Sequence, residues 1–248
     1  MRPMRWEDFR PAVLALGNTL YTRDHVQEKL GIIRGQPNKR WALVTMGTDP
    51  PVGDQHALQL PENATWFAQN CWTKMRRMQG IPIGPPWGAD NKFENITANV
   101  NTPKTKRLFA CLSIGNNPGQ RVPAMAAAEK VKSATLRPYA NNHPKLMGHL
   151  EFIKLMAQHE FVLCPPGAHD SDTHRTWEAL HLGCVPICKR SPVLDWFVDL
   201  PIMFVDDWSE LTDAAMDRAK AELEPKWPNC KTMLWTDYWL EKVKRAIA

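Results

Sequence analysis

Thr173, His174, Arg175 and Glu178 follow Asp172 closely enough to fall on the first turns of one helix, and their types suit a phosphate and a ribose. A helix is expected to begin near Asp172, because polar residues that favour helix starts precede the apolar run from Trp177 to Leu182. The first turn of a helix exposes unpaired amides and the positive end of its dipole, so it attracts an anion. Cations in that turn oppose the dipole unless an anion is bound. His174 and Glu178 are four residues apart and Arg175 and Glu178 three apart, so they share a face while Trp177 and Leu180 turn toward the packing side. Two cations for a diphosphate, with a carboxylate one turn deeper to accept from ribose hydroxyls, outline a nucleotide-diphosphate site. The same residues also admit a plain surface reading, an Arg175 to Glu178 ion pair worth roughly a few tenths of a kcal/mol with His174 solvated beside it.

Two other loops carry candidates. Gly115 to Arg121 is a glycine-rich turn holding Asn117, and Arg121 stands near the start of the alanine-rich helix that runs to about Ser133. Arg121 there is placed to face a phosphate, or is an exposed loop arginine. Upstream, the strand expected over Trp41 to Met46 runs into Gly47-Thr48-Asp49-Pro50-Pro51, with Asp54 just beyond. Asp49 and Asp54 are candidate bases on a loop at a strand's carboxyl end, or turn aspartates bonded to their own backbone.

The elements around these residues alternate strand and helix. Phe161 to Cys164 reads as a buried strand, Pro165-Pro166-Gly167 as the turn, Gly183 as the helix stop and Val185 to Cys188 as the next strand. That is a βαβ unit with parallel strands, its turn open toward a ligand. Further strands are expected at Thr65 to Cys71, Ile81 to Gly84, Arg107 to Ser113 and Leu200 to Val205. Helices are expected from about Arg23 to Ile33, from Leu146 to His159, from the capping box Asp207-Trp208-Ser209-Glu210 to about Leu223, and from Trp227 to Ile247. The start reads as irregular, followed by a short apolar piece from Ala12 to Leu16, and Tyr139 to Pro144 reads as a loop. Pro85 to Pro103 has the composition of a linker. The expected organisation is a small α/β domain at 1–90, a linker at 91–103, a nucleotide-diphosphate-binding α/β domain at 104–225 and a closing helix at 226–248.

Composition narrows the class. A chain of 248 residues with 44% hydrophobic content builds a real core. The net charge of +5 suits a phosphate-bearing ligand, while the absence of a long basic run or basic-aromatic interleaving speaks against nucleic acid. The six cysteines form no CxxC pair and are expected to be reduced and buried. The first residues read neither as a signal peptide nor as a membrane span, so a cytoplasmic location is expected, the host cytoplasm for a viral chain.

The run from Phe161 through Pro186, with hydrophobic-CPxG, an acidic and hydroxyl loop, HRxWEAL and GCVPI, resembles the C-terminal motif of exostosin-like glycosyltransferases of the GT-B fold. WFAQNC, IPIG and LPIMFVDDW resemble segments of small bacterial and viral members, so that the likeness covers about two thirds of the chain. It implies an α/β fold of two Rossmann-like domains facing a cleft, the first small. It implies transfer of a sugar from a nucleotide-diphosphate donor to a hydroxyl acceptor on a glycan; with cationic His174 and Arg175 beside the aspartates, no metal and no other cofactor is expected. Glu178 would bind the ribose. Asp172, Thr173, His174 and Arg175 would contact the pyrophosphate, Gly167 would allow close backbone approach, and Arg121, with Asn117 beside it, would stabilise the departing diphosphate. Members of the family are usually longer and membrane-anchored, whereas no anchor is expected here. Two other readings stay open: a metal-dependent GT-A-type transferase using the Asp-x-Asp of Asp170 and Asp172, and a non-catalytic nucleotide-sugar-binding module.

Overall fold

A computed structural model describes residues 3–4, 6–47, 49–86, 92–137 and 147–248. The loop expected at Tyr139 to Pro144 and the head of the expected linker, residue 91, lie outside the described residues. The chain is α/β, with two all-parallel sheets in the Rossmann manner. The first contains β1 (Thr19–Thr22), β2 (Trp41–Thr45), β3 (Ala64–Ala68) and β4 (Met78–Gly80), in the order β1-β2-β3-β4. The second contains β5 (Lys106–Ala110), β6 (Ala134–Leu136), β7 (His159–Leu163), β8 (Val185–Lys189) and β9 (Met203–Val205), in the order β6-β5-β7-β8-β9. Its central strands bury both faces, which is why they read as unbroken apolar runs.

The helices are α1 (Trp6–Leu14), α2 (Val26–Arg34), α3 (Asp54–Ala57), α4 (Lys92–Thr97), α5 (Pro118–Ala128), α6 (His149–Ala157), α7 (His174–His181), α8 (Asp213–Leu223), α9 (Trp227–Met233) and α10 (Thr236–Ile247). Among the described residues no helix is long and apolar enough to cross a membrane. All six cysteines are free thiols, five of them buried.

Several expected elements move. The start is not irregular, since it holds α1 and then β1. The strand expected at Thr65 to Cys71 ends at Ala68, because Asn70 turns the backbone into the left-handed region at φ 53°. Ile81 to Gly84 is not a strand; β4 precedes it, and the segment instead runs along the second half of the molecule. The capping box at Asp207 closes only one 3-10 turn, and α8 has its own cap, the Thr212 hydroxyl accepting from the amide of Ala215 at 3.1 Å. The expected closing helix is two helices. Its last part, α10, packs on α1 and on β2 and β3, and the amide of Met4 donates to the carbonyl of Leu234 at 2.9 Å, so the chain's end belongs to the first sheet.

The order of the second sheet positions the site. From β5 the chain goes outward to β6, then returns to the other side of β5 for β7. The loops leaving the carboxyl ends of β5 and β7 therefore diverge, and the crevice between them is where open parallel sheets hold ligands.

Candidate functional site

Two of the predicted residues hold those diverging loops together. Arg121, in the first turns of α5, is buried, donating from Nε to the carbonyl of Pro166 at 3.1 Å and from Nη1 to that of Ser113 at 2.7 Å. Asn117 donates from Nδ2 to the carbonyl of Gly167 at 2.8 Å and to Oδ1 of Asp170 at 2.9 Å. Arg121 is thus a brace between the β5 and β7 loops. Its expected role toward a phosphate is corrected to that extent: donors turned to backbone carbonyls are not presented to a ligand. Gly167 is also required from within. A Cβ there would lie 2.6 Å from Oγ of Ser171, so the missing side chain makes room for the turn's own hydroxyl. His169 and Asp170 follow in the left-handed region, at φ 53° and 54°.

Asp172 lies before α7, which starts two residues later than expected, with Thr173 as its N-cap residue. The carboxylate is buried, accepting from the amide of Thr173 at 2.7 Å on Oδ1 and from Nε1 of Trp177 at 2.7 Å and the amide of Ile83 at 3.1 Å on Oδ2. Its own amide donates to Oδ1 of Asn70 at 2.9 Å. Burial pushes this carboxyl up to about 6, against the lowering effect of those donors. Asp172 therefore joins the two halves, and its oxygens are occupied inside the protein rather than offered to a pyrophosphate.

His174 opens α7. Its Nδ1 lies 2.8 Å from the carbonyl of Gly84, and since a carbonyl only accepts, Nδ1 carries the proton. Burial holds this histidine below its ordinary range, so at neutral pH it is not the cation expected from the sequence. Glu178 on α7, Lys92 on α4 and Asp49 beyond β2 are the charged groups that act on it.

Arg175 and Glu178 do not pair with each other. Glu178 is buried, and its Oε1 lies 2.9 Å from Nε2 of His149, at the start of α6; Nδ1 of that histidine is 3.1 Å from Nδ2 of Asn95 on α4. The Arg175 guanidinium sits 5.3 Å from the ring of Phe152, and its Nε is buried with no hydrogen-bond partner. Among the described residues Arg175 pairs with no carboxylate. A half-buried cation without an anion, one turn from a buried carboxylate, is a chemically incomplete arrangement.

On the first half, Asp49 is exposed, and Nδ2 of Asn70 donates to its carbonyl at 3.1 Å, which ties its loop to the same asparagine that receives Asp172. Asp54 is exposed in the first turn of α3, and no described contact links it to the crevice. Asp170 and Asp172 do not converge on a shared point, since Asn117 holds one and the buried donors hold the other. Among the described residues no three His, Cys, Asp or Glu side chains are grouped to hold a metal ion.

Three participants go unpredicted. His149 and Asn95 reach Glu178 from positions with no sequence spacing to it, and nothing local marks them. Asn70 follows a parallel strand's carboxyl end, the location that singled out Asp49, and the same rule applied to β3 would have found it.

No family model matches the sequence, and no curated protein sequence matches it. Among solved structures the chain is similar to AviGT4, a glycosyltransferase involved in avilamycin A biosynthesis, at 12% identity over 97% of this chain and 87% of that one, with a TM-score of 0.47. It is similar to WaaG, a glycosyltransferase involved in lipopolysaccharide biosynthesis, at 10% identity over 98% and 96%, with a TM-score of 0.41. It is similar to an alpha1,3-fucosyltransferase at 11% identity over 92% and 88%, with a TM-score of 0.39.

Proposed function

We propose that this chain is a glycosyltransferase that moves a sugar from a nucleotide-diphosphate donor to a hydroxyl acceptor, on a glycan, without a metal ion. The observation that carries the reading is Arg175, a cation with a buried, unpartnered Nε one turn from Glu178, on the helix that follows the switch point of the second sheet. A diphosphate supplies the missing anion, and the helix start supplies amides for it. Glu178 accepts from the ribose. Asn117, Arg121, Gly167 and Asp172 hold the shape of the loops, and Thr173 sets where the helix begins. The acceptor enters from the side of Asp49 and Asp54. Binding the two substrates against each other supplies most of the rate, with a proton acceptor at the reacting hydroxyl.

The test is thermal unfolding with UDP, GDP, CMP and ADP, followed by a transfer assay with sugars on whichever base binds. One diphosphate is expected to stabilise the fold, by about 2.7 kcal/mol at a hundred times its dissociation constant. Transfer is expected to survive chelator. The reading fails if no nucleotide stabilises the protein; binding without transfer across a broad donor and acceptor screen makes it a binding module, and activity lost to chelator and restored by manganese makes it metal-dependent.

A further inference from the structure

We propose that His174, rather than Asp49, is the proton acceptor for the reacting hydroxyl, with Nε2 as the accepting atom; this rests on the transferase reading above. One contact fixes the tautomer of the ring. Gly84, from the segment that crosses between the halves, presents its carbonyl to Nδ1 at 2.8 Å. A carbonyl cannot donate, so the proton is fixed on Nδ1 and the lone pair on Nε2. No described residue bonds to Nε2, and it is not one of the buried atoms sealed from solvent without a partner, so the lone pair is open. A histidine held in this tautomer is ready to receive a proton without first losing one.

The surroundings suit the imidazolium that would follow. His174 stands between the two halves, with charged groups on it from each packed element: Glu178 from α7, Asp49 from the β2 loop and Lys92 from α4. The two carboxylates favour the protonated ring, and Lys92 opposes it. Burial keeps the ring neutral before the reaction.

In the step, the acceptor O–H bond breaks and its proton passes to Nε2. The freed oxygen pair forms the bond to the anomeric carbon. The bond from that carbon to the donor phosphate breaks with its electron pair leaving on the nucleoside diphosphate, whose charge Arg175 receives. The imidazolium then releases its proton to water.

The experiment compares wild type with His174→Gln and His174→Ala. Wild-type kcat is expected to rise with pH along one limb that ends below the ordinary histidine range, then stay flat. His174→Gln puts an amide near the place of Nε2 but has no base; its kcat should fall by about 10²- to 10⁴-fold and lose that limb, with diphosphate affinity within about threefold of wild type. Imidazole should restore part of the activity of His174→Ala. Nitrogen NMR of the wild-type ring, which needs no turnover, should find the proton on Nδ1 at pH 7.5. The proposal is overturned if His174→Gln keeps its kcat or its pH limb, or if the ring carries its proton on Nε2. If the wild type binds no diphosphate at all, the transferase reading itself has failed, and that is seen before any variant is made.

Discussion

Nε2 of His149 and Oε1 of Glu178 stand 2.9 Å apart, binding the start of α6 to the middle of α7 at the carboxylate proposed to hold a ribose. Asn95, 3.1 Å from the other ring nitrogen, steadies the histidine from α4. Glu178 is thus oriented before any ligand arrives, with one oxygen engaged and the other left for a hydroxyl. Glu178→Ala is expected to weaken nucleoside diphosphate binding by about 10- to 100-fold, the loss of one or two hydrogen bonds to a charged group. His149→Ala should cost about 1–3 kcal/mol of stability by leaving that carboxylate unpaired, with a smaller loss of affinity. Calorimetric titration separates the two, and an unchanged affinity in Glu178→Ala rejects the ribose assignment.

The two arginines of the crevice should behave oppositely. Arg121 spends its donors on the carbonyls of Pro166 and Ser113, so Arg121→Lys, which cannot span both, should lower stability by about 1–3 kcal/mol. Arg175 makes no hydrogen bond to a described group and only stands over the Phe152 ring, so Arg175→Ala should cost no more than about 1 kcal/mol of stability while diphosphate affinity drops at least tenfold. Denaturant unfolding and nucleotide titration of both variants check the pair. The reverse pattern would return Arg121 to the phosphate and make Arg175 structural.

Asp172 predicts a pH dependence with a definite sign. Burial raises its folded value from 3.8 to about 6, so the protonated form favours the fold. That contribution is fully present below 3.8 and is lost as pH rises through about 6. Asp172→Asn carries no titrating group, and its amide faces a donor at any pH, so it is less stable throughout. From pH 7.5 to pH 5 the wild type should gain about 1.4 kcal/mol over this variant, roughly a tenfold preference for the proton in the folded state. Urea unfolding at both pH values measures the gap. A gap that narrows toward pH 5 would mean that the three donors, not burial, govern this carboxyl.

What could be read from the sequence, and what could not, divides by distance along the chain. The unit from β7 through α7 to β8 is legible because its apolar strands, its prolines and glycines and its helix periodicity are all local. Gly183 ends α7 at φ 71°, as its type suggests. The short edge strands β1 and β6 carry no unbroken apolar run, so they pass for loop. Asp172 looks like a ligand contact by spacing alone, yet its partners Ile83 and Asn70 stand 89 and 102 residues upstream. His174 looks cationic until Gly84 and burial are supplied by the fold. Spacing puts Arg175 and Glu178 on one helical face but cannot say whether they pair, because His149, which takes the carboxylate, comes from α6.

A close contact between Gly80 and Trp196 bears on how firmly the halves are held. Gly80, buried at the end of β4, faces the ring of Trp196 in the turn Leu194–Phe197, and a Cβ at Gly80 would overlap that ring. Trp196 donates from Nε1 to the carbonyl of Cys71 at 3.1 Å, and Lys74 stands 3.7 Å over its face, so it is gripped on several sides by the first half. It cannot move aside without losing both contacts. Gly80→Ala should therefore cost about 1–3 kcal/mol, the range for overpacking a close contact, even though alanine suits a strand better than glycine does. In a Trp196→Ala background the overlap is gone, and Gly80→Ala should become neutral or slightly stabilising. A double-mutant cycle by denaturant unfolding measures the difference as a coupling of at least about 1 kcal/mol. Additive effects of the two substitutions would show that Gly80 serves the strand alone and that the grip between the halves lies elsewhere.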